Sequence, residues 1–321
     1  MANKTIEYKL TTPDKFFVEI NKMLPSHIEE NEFILNDVFG KGKIQYLKVH
    51  KGLWAQQIDY KLHEDLKLFR VARVSNDFFL IDFYLSDTEI IRESEGKVFK
   101  QSFEDVNMVL TSSKTESSAL IPKHKRVKIF NILMSRDWLL QNVLEDHEDL
   151  KEFFTSDNPI CLSENLDFKL KALLKQIDFN KNNKLSSISS ILQIIDYLFV
   201  RFNKRKLIID QTNIHPDDLS KLLKVREALD ANPQKDILLK ELSVSADMSL
   251  SKFKRLFKTV LGTTPYKYHL QVKMEKAMET LVQGRYSVSE TGFLMGYANL
   301  SQFSKAFKNH FGILPSEVRV E

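Results

Sequence analysis

One fifteen-residue frame occurs twice near the end of the chain. "SKFKRLFKTVLGTTP" begins at Ser251 and "SQFSKAFKNHFGILP" begins at Ser301. Phe253, Phe257, Lys258, Gly262 and Pro265 recur as Phe303, Phe307, Lys308, Gly312 and Pro315, each displaced by 50 positions. Aromatic residues four apart fall on one face of a helix. Ser249 and Asn299 stand just before the two apolar runs, where a side-chain oxygen can accept from the unpaired first N–H groups. Each run closes on glycine, the usual left-handed stop, followed by proline. The spacing therefore predicts two capped, one-faced helices of about ten residues each.

Each predicted helix follows another short helical stretch and a tight turn, "LLKELSVSADM" in the first copy and "SVSETGFLMGY" in the second. A short helix, a turn and a second helix opening on Ser or Asn is the helix-turn-helix pattern. Gly296 supplies the positive φ that the second turn needs. Asp247 stands at the matching place in the first, and Asp tolerates that conformation better than most residues. Between the copies, "PYKYHLQVKMEKAMETLVQG" repeats apolar residues at helical spacing (Leu270, Met274, Ala277, Met278, Leu281) and stops at Gly284. About 17 residues of helix span ~26 Å. Successive major-groove faces on one side of B-DNA lie roughly 34 Å apart, so such a rod suits two heads meeting one side of a duplex.

The polar faces have the matching chemistry. The first helix turns Ser251, Lys252, Lys254, Arg255 and Lys258 away from Leu250, Phe253, Leu256 and Phe257. The second turns Ser301, Gln302, Ser304, Lys305 and Lys308 away from Leu300, Phe303, Ala306 and Phe307. Long cationic and amide groups reach base edges, and Lys and Ser also serve phosphates. Charge points the same way. Leu223–Glu321 hold 15 Lys+Arg against 10 Asp+Glu, a surplus of +5, while the rest of the chain holds 32 against 33. A basic third favours a polyanionic partner.

The segment from Gly296 to Arg319, "GYANLSQFSKAFKNHFGILPSEVR", closely resembles the signature of the AraC/XylS family of bacterial transcription regulators, G-F-x-D/N-x-S-x-F-x-R-x-F-K-x-x-x-G-x-x-P-S-x-x-R. Tyr297 replaces Phe and Lys305 replaces Arg. The resemblance covers about the last hundred residues and implies two helix-turn-helix units joined by a long helix. It implies base contacts from Ser251, Lys254 and Arg255 in the first unit and from Leu300, Ser301, Ser304 and Lys305 in the second, with Leu300 suited to a thymine methyl. Ser243 and Gly292 depart from the alanine usual on the first helix of each unit. Glycine there weakens helix propensity by up to about 1 kcal/mol.

Upstream, the pattern changes. "GKIQYLKVHKGLWAQQIDYKL", "DFFLIDFYLSD" and "VNMVLTSS" read as short strands bounded by turn residues, which suggests a sandwich or barrel. "RDWLLQNVLEDHEDLKEFF", "LDFKLKALLKQI" and "SISSILQIIDYLFVRFNKR" carry helical spacing. The expected organisation is α+β and multidomain: a β-rich, cupin-like sandwich or barrel over 1–130, a helical linker or dimerisation region over 131–215, and an all-α tandem helix-turn-helix domain over 216–321. The resemblance implies that the first region senses an effector or makes a dimer. Trp54, Gln56, Tyr60 and Phe83 are the candidate pocket residues, although aromatic residues on strands are more often plain core. Ile191, Ile194, Ile195, Leu198 and Phe199 form a wide apolar stripe that suits burial within one chain or between two.

Other function classes find little support in the residues. The one cysteine, Cys161, makes no internal disulfide, which fits a reducing compartment. It stands without a Cys-x-x-Cys pair, and the chain has no G-x-S-x-G elbow or Gly-rich loop, so an enzyme fused to a DNA-binding domain is the weaker reading. Eight scattered histidines with no His-x-His pair do not suggest a metal, and no cofactor is expected. The N-terminus lacks the form of a signal peptide, and no run of roughly 18 apolar residues suggests a membrane span. The sequence thus predicts a cytoplasmic, non-enzymatic regulator. Its expected partners are double-stranded DNA, a small organic effector, a second copy of the chain as a homodimer and, for an activator, RNA polymerase. An effector-free architectural DNA binder is the remaining alternative.

Overall fold

The computed structural model describes residues 4–94, 96–101, 108–145, 148–164, 166–179, 184–204, 216–261 and 263–318. Contacts divide the chain into two compact units, Met1–Phe199 and Val200–Glu321, where the sequence suggested three regions.

The first unit is β-rich. Its strands are β1 (Lys4–Lys9), β2 (His27–Glu29), β3 (Glu32–Ile34), β4 (Gly40–His50), β5 (Leu53–Leu62), β6 (Leu66–Val71), β7 (Phe78–Tyr84), β8 (Ile90–Ser94), β9 (Lys97–Gln101), β10 (Met108–Ser112), β11 (Ser117–Ile121), β12 (Arg126–Ser135) and β13 (Cys161–Glu164). They form a five-stranded sheet ordered β1-β6-β11-β8-β9 and an eight-stranded sheet ordered β13-β10-β7-β12-β5-β4-β3-β2. All pairings are antiparallel except β1 with β6. Side chains alternate faces along a strand, and the inward rows of both sheets build one core with Ile6, Phe33, Tyr84, Ile121 and Val127. Helix α1 (Pro13–Asn21) adds Phe17 and Ile20 to it. The β4–β5 hairpin turns at Gly52, whose φ is 89°.

The segment read from sequence as purely helical differs in two ways. "RDWLLQNVLEDHEDLKEFF" makes two helices, α2 (Arg136–Asn142) and α3 (Glu148–Thr155). The stretch after Asn158-Pro159 then adds β13 to the edge of the large sheet, where Cys161 pairs with Thr111 of β10. Four residues with no alternating pattern are too short for periodicity to reveal; the edge of β10 supplies their hydrogen-bond partners. Helices α4 (Phe168–Lys175) and α5 (Lys184–Lys204) follow. Phe79 on β7 meets Phe154 at 5.2 Å between ring centres, and Phe154 meets Phe199 at 5.4 Å. The α5 stripe Ile191, Ile194, Ile195, Leu198 and Phe199 is buried within the chain. By length and composition alone α5 is apolar enough to cross a membrane, which the sequence reading had not suggested. Its apolar stripe is nonetheless the part that the protein itself covers.

The second unit is helical: α6 (Pro216–Ala231), α7 (Leu239–Ser245), α8 (Leu250–Leu261), α9 (Pro265–Val282), α10 (Val288–Leu294) and α11 (Leu300–Phe311). Pro216 opens α6 as expected, while His215 lies outside the described residues.

Candidate nucleic-acid interface and interior cavity

The two copies of the repeated frame become α8 and α11, and their caps are in place. Ser249 Oγ accepts from Lys252 N at 3.3 Å. Asn299 Oδ1 accepts from Ser301 N at 2.9 Å and Gln302 N at 3.3 Å. Gly312 ends α11 at φ 78°; its counterpart Gly262 lies outside the described residues. The prolines that close each frame open the next turn of helix. Pro265 is the first residue of α9, capped by Thr264, and Pro315 begins a short 3-10 turn.

The turns follow the same logic. Asp247 has φ 50° and Gly296 has φ 79°. At Gly296 a Cβ would also stand 2.5 Å from the Gln234 carbonyl oxygen, so no other residue fits without moving backbone. Asp247 accepts an ion pair from Lys221 at 3.0 Å. Ser287 and Glu290 at the start of α10 form a reciprocal capping box. It satisfies two of the helix's orphan N–H groups.

Apolar faces hold the two reading helices. Phe253 and Phe257 of α8 are fully buried, 5.4 Å apart at their ring centres, and Phe257 meets Tyr268 of α9 at 5.8 Å. Phe303 and Phe307 of α11 repeat this at 5.8 Å. Fully burying such a side chain is worth about 1.5–3 kcal/mol. Helix α9 runs 18 residues, or about 27 Å at the standard rise, and packs against both α8 and α11.

The opposite faces are open. Ser251, Lys254, Arg255 and Lys258 on α8 are exposed, as are Ser301, Gln302, Lys305 and Lys308 on α11. Three anticipated contact residues are less free. Lys252 Nζ is held by Asp218 Oδ1 at 2.9 Å. Ser304 is half-buried, and Leu300 is turned toward α10, where its Cδ2 lies 2.8 Å from the place a Cβ on Gly292 would take.

A model of the family described as "Helix-turn-helix domain" matches residues 242–321, the stretch that holds α8, α9, α10 and α11. The C-terminal unit carries an AraC-type helix-turn-helix domain. The HTH-type transcriptional regulator GbdR of Pseudomonas aeruginosa is 31% identical over 99 residues, covering 31% of this chain and 27% of that protein. The lactose operon transcription activator of Staphylococcus xylosus is 27% identical over 147 residues, covering 46% and 51%. A transcriptional regulator from Chromobacterium violaceum with an AraC-type DNA-binding domain is similar in crystal structure. It is 31% identical and covers 32% of this chain and 90% of that one, with a TM-score of 0.30. This chain therefore spans about a quarter to a half of the length of these curated relatives.

The β-rich unit has its own interior feature. A cavity of about 110 Å³ lies between the two sheets, with Phe16 and Ile20 among its lining. Gln56 and Tyr60 line it, on the face of β5 that also presents Ile58 and Leu62. Trp54 lies outside the lining; its ring meets Phe78 at 6.3 Å and packs with Leu10, Leu80 and Leu133. Phe83 does not face the cavity. It follows Asp82, which lines it, so the two-residue alternation of β7 sends Phe83 to the other side, where it meets Phe130 at 5.9 Å. Sequence reading missed Arg70, Asp82 and Arg92 in the lining, because strands distant in the chain bring them together. Among the described residues no group of three His, Cys, Asp or Glu is placed to hold a metal.

Proposed function

We propose that the protein is a bacterial transcription regulator that reads a promoter with α8 and α11, and whose β-rich unit controls that reading. One observation carries the proposal: a single frame, built twice and joined by α9, presents exposed polar faces on two buried aromatic anchors. Arg255 and Lys254 read base edges in the first helix-turn-helix. Ser301, Gln302 and Lys305 do so more weakly in the second, with Lys258 and Lys308 on phosphates. Lys252, Ser304 and Leu300 serve the frame as much as the DNA.

The finer reading is an activator that meets RNA polymerase when its first unit binds a small organic effector or a second copy of the chain. The Staphylococcus xylosus relative, a lactose operon transcription activator, supports activation, and the cavity supports an effector. Such a protein works in the cytoplasm, where the chromosome is, and needs no catalytic group. Residues 1–130 would sense, 131–215 would support or join protomers, and 216–321 would bind DNA.

The test is selection of bound duplexes from a random library by the full chain, followed by binding of the selected site at fixed salt. Arg255→Ala should cost about 1–3 kcal/mol and flatten preference at one base step. Selection of no consensus, or an Arg255→Ala protein with unchanged affinity and preference, would overturn it.

A further inference from the structure

We infer that the cavity of the β-rich unit is built for a small organic monoanion, a carboxylate on an apolar body, with Arg70 as its anchor. This names the effector class and so rests on the effector reading above.

Two rows of polar neighbours face the cavity. On the small sheet Tyr8, Arg70 and Ser117 sit side by side across β1, β6 and β11. On the large sheet Gln56, Asn131 and Asp82 sit side by side across β5, β12 and β7. All six line the cavity, as does Arg92 of β8. Arg92 Nη1 donates to Asp82 Oδ2 at 2.7 Å. Asn131, in the orientation that satisfies its neighbours, donates to Asp82 Oδ1 at 2.9 Å. Asp82 is thereby engaged by both oxygens.

Among the described residues Arg70 has no such partner. It is 1% exposed; its Nε donates to the Thr115 carbonyl at 3.3 Å, and its Nη2 is buried without a hydrogen bond. The buried lining thus holds two guanidinium groups against one carboxylate, and the carboxylate already serves Arg92. An unpaired buried charge is costly. One monoanion restores neutrality, while a doubly charged phosphate would overshoot it. A planar carboxylate also matches the guanidinium fork. Burial pushes the Tyr8 phenol above its usual range, so it stays a donor beside Arg70. Most of the rest of the lining, including Phe16, Ile44, Ile58, Leu68 and Ile129, is apolar and suits a hydrocarbon or aryl body; the polar exceptions are Lys9, whose side chain is exposed, Thr11 and Ser118.

The test uses the full chain and calorimetric titration with octanoate and benzoate, each set against the matching alcohol and amine. The carboxylates should bind and the alcohols and amines should bind at least about tenfold more weakly. Arg70→Met should remove the carboxylate preference. It should also melt no lower than the wild type without ligand, because it removes a buried unpaired charge. Equal binding of alcohol and carboxylate by the wild type, or no carboxylate binding, overturns the proposal, and neither outcome depends on the variant folding. Binding of a selected duplex, with and without octanoate or benzoate, separates the two readings. Carboxylate binding that leaves DNA affinity unchanged keeps the anion site and ends effector control through it. DNA affinity that responds only to a neutral compound, in wild type and Arg70→Met alike, keeps effector control and ends the anion site.

Discussion

Gly292 on α10 and Leu300 on α11 are so close that a Cβ on the glycine would stand 2.8 Å from Leu300 Cδ2 and 3.0 Å from the Phe303 ring. The glycine is buried and lets the two helices of the second helix-turn-helix touch. Alanine there would gain helix propensity, up to about 1 kcal/mol, yet overpack the contact, which costs about 1–3 kcal/mol. Gly292→Ala alone should therefore lower the denaturant midpoint. In a Leu300→Ala background, where only the Phe303 contact remains, the same change should cost less, with a coupling energy of about 1 kcal/mol or more. Additive effects would show that the helices have room between them.

Gly292 also shows what a single sequence conceals. A departure from the family's alanine reads as a local weakness of helix α10 until Leu300 is seen across the gap. Periodicity and caps made the frame itself legible: Ser249, Asn299, Asp247 and Gly296 all do what their positions implied, because capping and positive φ are local requirements. The cavity was only half legible. Gln56 and Tyr60 belong to one strand whose alternation can be read, but Arg70, Asp82 and Arg92 meet through the ordering of strands within two sheets, which no local pattern encodes. Phe83 misled because an aromatic residue on a doubly covered strand has core on both sides. Strand β13 escaped because its pairing edge lies some fifty residues earlier in the chain.

Lys252 and Asp218 give a second prediction. Their 2.9 Å ion pair ties a cation of the reading helix to α6 and withholds it from phosphate. Asp218→Asn should release it. DNA affinity at low salt should rise, for specific and random duplexes alike. The slope of log affinity against log salt should steepen by about one unit as one more phosphate is neutralised. Titrations across a salt series measure this, and an unchanged slope would mean that Lys252 already contacts phosphate or never reaches it.

The Asn299 cap gives a third. It satisfies two N–H groups at the start of α11, beside the exposed Ser301 and Gln302. Asn299→Ala should cost about 1 kcal/mol of stability, and Asn299→Ser much less. Fraying of the first turn should also weaken binding of the selected duplex, because Ser301 and Gln302 lose their fixed placement. Hydrogen exchange of the amides of residues 301 and 302 checks the mechanism. Protection that is the same in Asn299→Ala and wild type would rule out this cap as the cause.

His269 on α9 gives the fourth. It is buried, and among the described residues neither ring nitrogen makes a well-formed hydrogen bond. Burial, followed by the charge of Lys273 one turn away, holds its pKa below the ordinary 6.5, against weaker opposing pulls from the Lys235 backbone and from Asp236. The unfolded chain then takes up a proton at a higher pH than the folded one. Stability is full above about pH 6.5 and falls as the pH drops toward the lowered folded value. Lys273 is buried too, and burial lowers its pKa as well, against the opposing charge of Asp236. Acidification from about pH 7.5 to about pH 5.5 should thus lower the melting temperature of the wild type more than that of His269→Gln, which has no proton to gain. Thermal melts of both proteins across that range measure the difference. Parallel curves would show that the imidazole titrates alike in the folded and unfolded chain, and that α9 tolerates a charge at the centre of the DNA-binding domain.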